Sequence, residues 1–184
     1  MTAMKVLVTG GSSMIGAGVA NALTARGNDV VCLQRTRSPL VDAAVAPHLG
    51  DIRERETVVE SAAGCDAIVH VAAKVGVLGP WEDYRSINVD GTANVMSAAL
   101  DRGVPRVEYV STPSVAHGGE PIVGGAADAP VLGRRHAWYA ESKAMAEMIA
   151  LDAASSDMGV VAVRPHLVWG PGDTQLVGRI VERA

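Results

Sequence analysis

Phenylalanine is missing from this sequence, and aromatic residues make up only 3% of it. No stripe of basic residues interleaved with aromatics occurs, so a nucleic-acid partner is not expected. Cysteine is nearly as scarce. Cys32 and Cys65 are too few for a disulfide framework or a four-thiolate metal site, which fits a reducing cytosol. The five histidines and two cysteines show no H-x-x-x-H or C-x-x-C spacing, so no metal is expected. No Gly-x-Ser-x-Gly elbow is present to support acyl transfer. No apolar run reaches the ~18 residues of a membrane span. The best candidate, Ala62 to Leu78, is interrupted by Asp66, His70 and Lys74. Lys5 precedes only three apolar residues before Thr9-Gly10-Gly11, too short for a signal peptide. No membrane partner and a cytoplasmic location are the resulting expectations.

What is present suits a folded chain. The 184 residues are 48% hydrophobic and 20% charged, with a formal net charge of −4, enough apolar material for one domain with a core. Ala, Val and Gly dominate. Small side chains permit close packing of helix on sheet, although a coding bias would produce the same composition.

Along the chain, short Val-rich runs alternate with helical patterns. Lys5–Thr9 reads as a buried parallel strand. Ile15, Val19, Ala22 and Leu23 recur at helical spacing, and Gly27 stops the pattern. Strands follow at Val30–Leu33, Ala67–Val71, Arg106–Val110 and Val160–Val163. Helices are expected over Arg53–Ala63, Tyr84–Arg102 (with Val95, Ala99 and Leu100 inward) and Trp138–Ser156 (with Met145, Met148 and Ile149 on one side). Thr112 to Arg135 reads as loop, and Leu176 to Ala184 as the start of a last helix. The alternation predicts an α/β fold: a doubly wound, Rossmann-type parallel sheet with helices on both faces. The pattern breaks off inside that last helix without a stop signal, so a longer polypeptide is expected.

Between the first strand and first helix lies Thr9-Gly10-Gly11-Ser12-Ser13-Met14-Ile15-Gly16. Glycines in such a turn let backbone N–H groups approach a pyrophosphate, and the helix N-terminus favours negative charge. Strand, glycine turn and helix at this place resemble the extended branch of the short-chain dehydrogenase/reductase superfamily, the NAD-dependent epimerase/dehydratases, whose turn reads T-G-x-x-G-x-x-G. Gly10 and Gly16 match, and Ser13 replaces the middle glycine. Its Cβ is expected to crowd a diphosphate, whereas its hydroxyl could donate to one. The resemblance assigns Gly10, Ser12, Ser13, Met14, Ile15 and Gly16 to the cofactor. At the end of the second strand, Gln34-Arg35-Thr36-Arg37 lacks the acidic residue that binds a ribose 2′-OH, which favours NADP over NAD at Gln34 and Arg35. The resemblance further implies cofactor contacts at Asp51 and Ile52, at Val71, Ala72 and Ala73, at Asn88, and at Pro165, His166 and Val168. His70 reads as a satisfied strand histidine rather than a ligand or base.

Tyr139 and Lys143 are four apart on an expected helix and project from one face. An ammonium near a phenol lowers the phenol's pKa and equips it to exchange a proton with an alcohol or ketone as hydride moves. The resemblance makes Tyr139 the acid/base and Lys143 its tuner and a holder of the cofactor ribose. It makes Thr112 the hydrogen-bond donor to substrate, with Ser111 and Ser114 as substitutes. Ser111–His117 and Arg164–Asp173 are most similar to 3β-hydroxysteroid dehydrogenase-type and related keto-reductases. The implied reaction interconverts a secondary alcohol and a ketone on a small-molecule substrate. A nucleotide-sugar epimerase or dehydratase and a non-catalytic NAD(P)-binding redox sensor are the alternatives. The resemblance also implies a homodimer through Tyr84–Arg102 and Trp138–Ser156, and a substrate domain largely absent from these 184 residues.

Overall fold

In a computed structural model, which describes residues 2–76, 78–117, 129–133, 137–170 and 173, six parallel strands form one sheet. They are β1 (Lys5–Thr9), β2 (Asp29–Gln34), β3 (Ala46–Leu49), β4 (Ala67–His70), β5 (Arg106–Val110) and β6 (Gly159–Val163). Their spatial order is β3-β2-β1-β4-β5-β6. β1 lies at the centre, with Leu7 opposite Val31 on one side and Ile68 on the other. The chain reverses direction across the sheet beside β1, which opens a crevice at the strands' carboxyl ends.

The helices are α1 (Met14–Ala25), α2 (Arg55–Ser61), α3 (Trp81–Tyr84), α4 (Gly91–Arg102) and α5 (Trp138–Asp152). Alternation along β1 divides the core. Leu7 joins Val58, Val95, Ala99, Ala146 and Ala150 beneath α2, α4 and α5. Val6 and Val8 join Ala20, Val30 and Cys32 beneath α1. Helices therefore cover both faces, as the Rossmann reading requires. Each fully buried valine stabilises the layer by roughly 1.5 kcal/mol or more. Among the described residues no helix is long and apolar enough to cross a membrane.

Several details depart from the sequence reading. β3 was not expected, because Ala46-Pro47-His48-Leu49 carries no strand pattern. Among the described residues it is an edge strand bonded only to β2, with Pro47 opposite Cys32, a setting where a residue without an N–H fits a sheet. The helix expected from Tyr84 begins earlier, at Trp81, and widens into a π-helical segment over Arg85–Asp90 before α4. Leu100 is 53% exposed, not inward. The alanines of α4 and α5 face the sheet instead, because small side chains bring helix and sheet closest together. Trp81 and Trp138 pack with ring centroids 5.4 Å apart, joining α3 to α5. The helix expected from Leu176 lies outside the described residues.

Candidate active site

The floor of the crevice is set by Thr9, at the end of β1 and fully buried. Its Oγ1 accepts from Val71 N and Ala72 N, both at 3.2 Å. That leaves its own proton for His70 Nδ1, 2.7 Å away. Burial, with the Lys143 charge adding to it, pushes the His70 pKa down to about 3, so the ring is neutral at ordinary pH. Counting donors puts its one proton on Nε2, which donates to Thr92 Oγ1 at 2.9 Å. Thr92 then donates to Asn88 O at 2.6 Å. Asn88 closes the chain. Its Oδ1 accepts from Lys74 N at 2.7 Å, and its Nδ2 donates to Lys74 O at 3.0 Å and Ser142 Oγ at 2.9 Å. A continuous hydrogen-bond path thus runs from β1 to α5.

The glycine turn follows from two steric facts. Gly10 has φ +75°, and a Cβ there would stand 2.8 Å from the Ala72 backbone. A Cβ on Gly16 would stand 2.2 Å from Gly10 O. Ser13 needs no such freedom: it is the N-cap of α1 at φ −83°. Its Oγ accepts from Gly16 N at 3.0 Å and donates to Gly10 O at 2.9 Å. The hydroxyl proton suggested for a diphosphate is therefore held by Gly10.

Beside this turn opens a cleft of about 630 Å³. Gly10, Ser12, Ser13, Met14 and Ile15 line one part of it, and Val71, Ala72 and Ala73 another. Gln34, Arg35, Asp51, Ile52 and Val168 line it as well. Gln34 is 5% exposed, and its Oε1 is buried without a hydrogen-bond partner among the described residues. An orphaned acceptor at the rim of a cleft is what a bound polar ligand would satisfy. Asp51 is engaged by Arg53, whose Nη2 and Nε donate to it at 2.7 and 3.0 Å. That pair holds the Asp51 carboxyl below its usual range.

Five sequence assignments sit elsewhere. Gly16 lies behind the turn, Asn88 is one layer back holding Lys74, and Lys143, Pro165 and His166 are not part of the lining. Lys74, Val75, Ile87, Leu33, Leu40 and Asp173 do line the cleft and were not singled out. Lys74 directly continues the Val71–Ala73 stretch, a signal that could have found it. Leu40 is brought there only by the fold.

The remaining candidates gather where β5 ends. Tyr139 is half-buried, and the Thr112 side chain acts on its hydroxyl, holding its pKa down against burial. Thr112 Oγ1 also lies 3.1 Å from Ser114 Oγ. Ser111 turns away into the core, to Glu147. Lys143 is 2% exposed, donates from Nζ to Val110 O at 2.7 Å, and lies 4.2 Å from the Tyr109 ring centroid. Burial pulls its pKa down to about 7, opposed by Glu147. The expected lowering of the Tyr139 pKa is not what the structure gives. Burial raises it, the Thr112 side chain opposes the rise, and the ammonium is turned to a backbone carbonyl. Among the described residues no cluster of His, Cys, Asp and Glu could hold a metal ion.

Residues 7–184 match the pattern of the 3-beta hydroxysteroid dehydrogenase/isomerase family. The chain is 41% identical over 184 residues to a 2-alkyl-3-oxoalkanoate reductase of Stenotrophomonas maltophilia (strain K279a), covering 98% of this chain and 56% of that protein. It is 36% identical to a 3-beta-hydroxysteroid dehydrogenase of Mycolicibacterium neoaurum, covering 97% and 51%. The chain thus spans about half the length of these curated relatives. Among solved structures, MoeE5 in complex with UDP-glucose and NAD superposes with TM-score 0.83 at 30% identity, covering 97% of this chain and 60% of that one.

Proposed function

This chain belongs to the 3-beta hydroxysteroid dehydrogenase/isomerase family, within the extended short-chain dehydrogenase/reductase superfamily, and from that premise we propose that it is an NAD(P)-dependent oxidoreductase interconverting a secondary alcohol and a ketone. The observation that carries this reading is the gathering of Tyr139, Thr112 and Lys143 at the carboxyl end of β5, with Lys143 Nζ on Val110 O. In the reductive direction Tyr139 donates its proton to the carbonyl oxygen, while the Thr112 hydroxyl hydrogen-bonds that oxygen and orients it. A phenol whose pKa burial has raised stays protonated at neutral pH, as a proton donor must. Lys143 would hold the ribose hydroxyls of a bound cofactor and keep a positive charge near the phenolate. The nicotinamide dinucleotide, when bound, supplies or accepts the hydride.

The turn at Gly10, the cleft beside it and the orphaned Gln34 acceptor fit such a dinucleotide. The end of β2 offers Arg35 and no carboxylate, which favours a 2′-phosphate and hence NADP. The names of the relatives point to a 3-oxo acid or a 3-hydroxysteroid as substrate class. Leu100 on α4 and Met148 and Leu151 on α5 are apolar and exposed, which supports a homodimer through these helices. Cys32 and Cys65 are buried free thiols, as suits a cytoplasmic protein.

A nucleotide-sugar epimerase or dehydratase is the second reading, favoured by the likeness to MoeE5. It predicts turnover without net oxidation of added cofactor. The test is NADPH fluorescence on wild type and Tyr139→Phe with 3-oxo acids and 3-ketosteroids. Tyr139→Phe should bind NADPH as wild type does and lose about 100-fold or more in turnover. Wild type that binds NADPH but turns over no alcohol or ketone would count against the reductase reading and favour the epimerase or a non-catalytic binder.

A further inference from the structure

Glu147 lies one helical turn beyond Lys143 on α5 and is 1% exposed. Its carboxylate accepts from Arg164 Nη2 at 2.5 Å and Arg164 Nε at 3.1 Å, and from the Ser111 hydroxyl. Both partners stand immediately after strands. Ser111 follows β5 and precedes Thr112; Arg164 follows β6 and leads to Val168 in the cleft lining. The two exits are also joined directly, by Ser111 N donating to Val163 O at 2.7 Å. One carboxylate therefore ties both exits to the helix that carries Tyr139 and Lys143.

Apolar side chains in place of both Glu147 and Arg164 would fill this place about as stably, because burying an ion pair costs desolvation that the pairing barely repays. Packing alone does not call for a charge here. We propose that Glu147 is a positioning residue of the site: it fastens Thr112 and the segment that follows Arg164 to α5, and its negative charge keeps the neighbouring Lys143 charged and seated on Val110 O. This rests on the reading of Tyr139, Lys143 and Thr112 given above.

The surroundings of Lys143 agree. Its ammonium faces neutral His70 from β4 and the Tyr109 ring from β5, while Arg164 is engaged by Glu147. Glu147 is the negative charge that opposes the downward pull of burial on the Lys143 pKa. Since the ammonium exists below its pKa and is lost above it, removing Glu147 makes Lys143 neutral at lower pH.

The test follows the Lys143 side-chain NMR signals through a pH titration in wild type, Glu147→Gln and Ser111→Ala. Glu147→Gln keeps an acceptor for Ser111 and Arg164 but loses the charge, and should lower the Lys143 midpoint by about 1 unit or more, as an opposite charge one turn away supplies. Ser111→Ala removes the tie and keeps the charge, so its midpoint should stay at the wild-type value. The alkaline limb of ketone reduction should move with the midpoint in Glu147→Gln. If Glu147→Gln fails to fold, the double variant Glu147→Gln with Arg164→Met leaves no stranded guanidinium and should still lower the midpoint, though by less, because a positive charge leaves with the negative one. An unchanged midpoint in a folded variant overturns the proposal. A lowered midpoint in a protein whose wild type reduces no ketone supports this role of Glu147 and counts only against the proposed reaction.

Discussion

Replacing Thr9 by valine keeps the shape of a fully buried side chain and deletes one oxygen. That oxygen accepts from Val71 N and Ala72 N and donates to His70 Nδ1. The variant therefore strands three polar groups. The imidazole nitrogen is fully buried and loses its only donor. The two amides are half-buried with long bonds of 3.2 Å, so each is charged at the low end of the range for an unsatisfied group. Together the loss is about 3–5 kcal/mol, a large part of the roughly 5–15 kcal/mol that holds a typical domain. Thr9→Ser is the control: it keeps the hydroxyl, removes one methyl and should cost about 1 kcal/mol. Urea unfolding measures both, and the midpoints should separate while the slopes stay equal. Because Val71 and Ala72 line the cleft, NADPH affinity should weaken in Thr9→Val and not in Thr9→Ser. If the two variants unfold within about 1 kcal/mol of each other, the donor count around His70 is wrong.

Acid should act through the same histidine. His70 has a pKa of about 3 in the folded chain and about 6.5 when unfolded. The unfolded state therefore takes the proton first. This contribution is complete above pH ~6.5 and is lost by up to ~1.4 kcal/mol per unit as pH falls toward 3. Unfolding free energies of wild type and His70→Gln between pH 7.5 and 4.5 check it, since the variant should have the shallower slope and equal slopes would refute the assignment. Arg35→Ala should weaken NADPH binding by about 10–100-fold, the worth of a charge-assisted bond to phosphate, and leave NADH binding unchanged. Fluorescence titration with both cofactors decides it, and equal losses would remove Arg35 from 2′-phosphate recognition.

The elements that were legible in the sequence are those with a local pattern. The apolar run Lys5–Thr9, the glycine turn and the spacing of α1 declare strand, turn and helix without help from the rest of the chain. β3 declares nothing, because its place is created by β2 and an edge tolerates Pro47. On α4 the size of Leu100 suggests burial, yet it is exposed, because the layer spacing selects alanine. The site divides in the same way. Tyr139 and Lys143 are visible as a pair four apart. The direction of the Lys143 ammonium is not, since Val110 O and the Tyr109 ring reach it from a strand some thirty residues earlier. Glu147 had a signal, a lone acid one turn past Lys143 in an alanine- and methionine-rich stretch. Its partners Ser111 and Arg164 are set by the order of β5 and β6 alone.

The contact between Trp81 and Trp138 gives the molecule an internal optical gauge. Two indoles with centroids 5.4 Å apart and planes tilted by 49° couple their electronic transitions, and that coupling decays steeply as they separate. Trp138 immediately precedes Tyr139 in the chain. Any ligand that draws the start of α5 towards or away from α3 will therefore register in the ultraviolet circular dichroism of the unlabelled protein, beside the proposed proton donor.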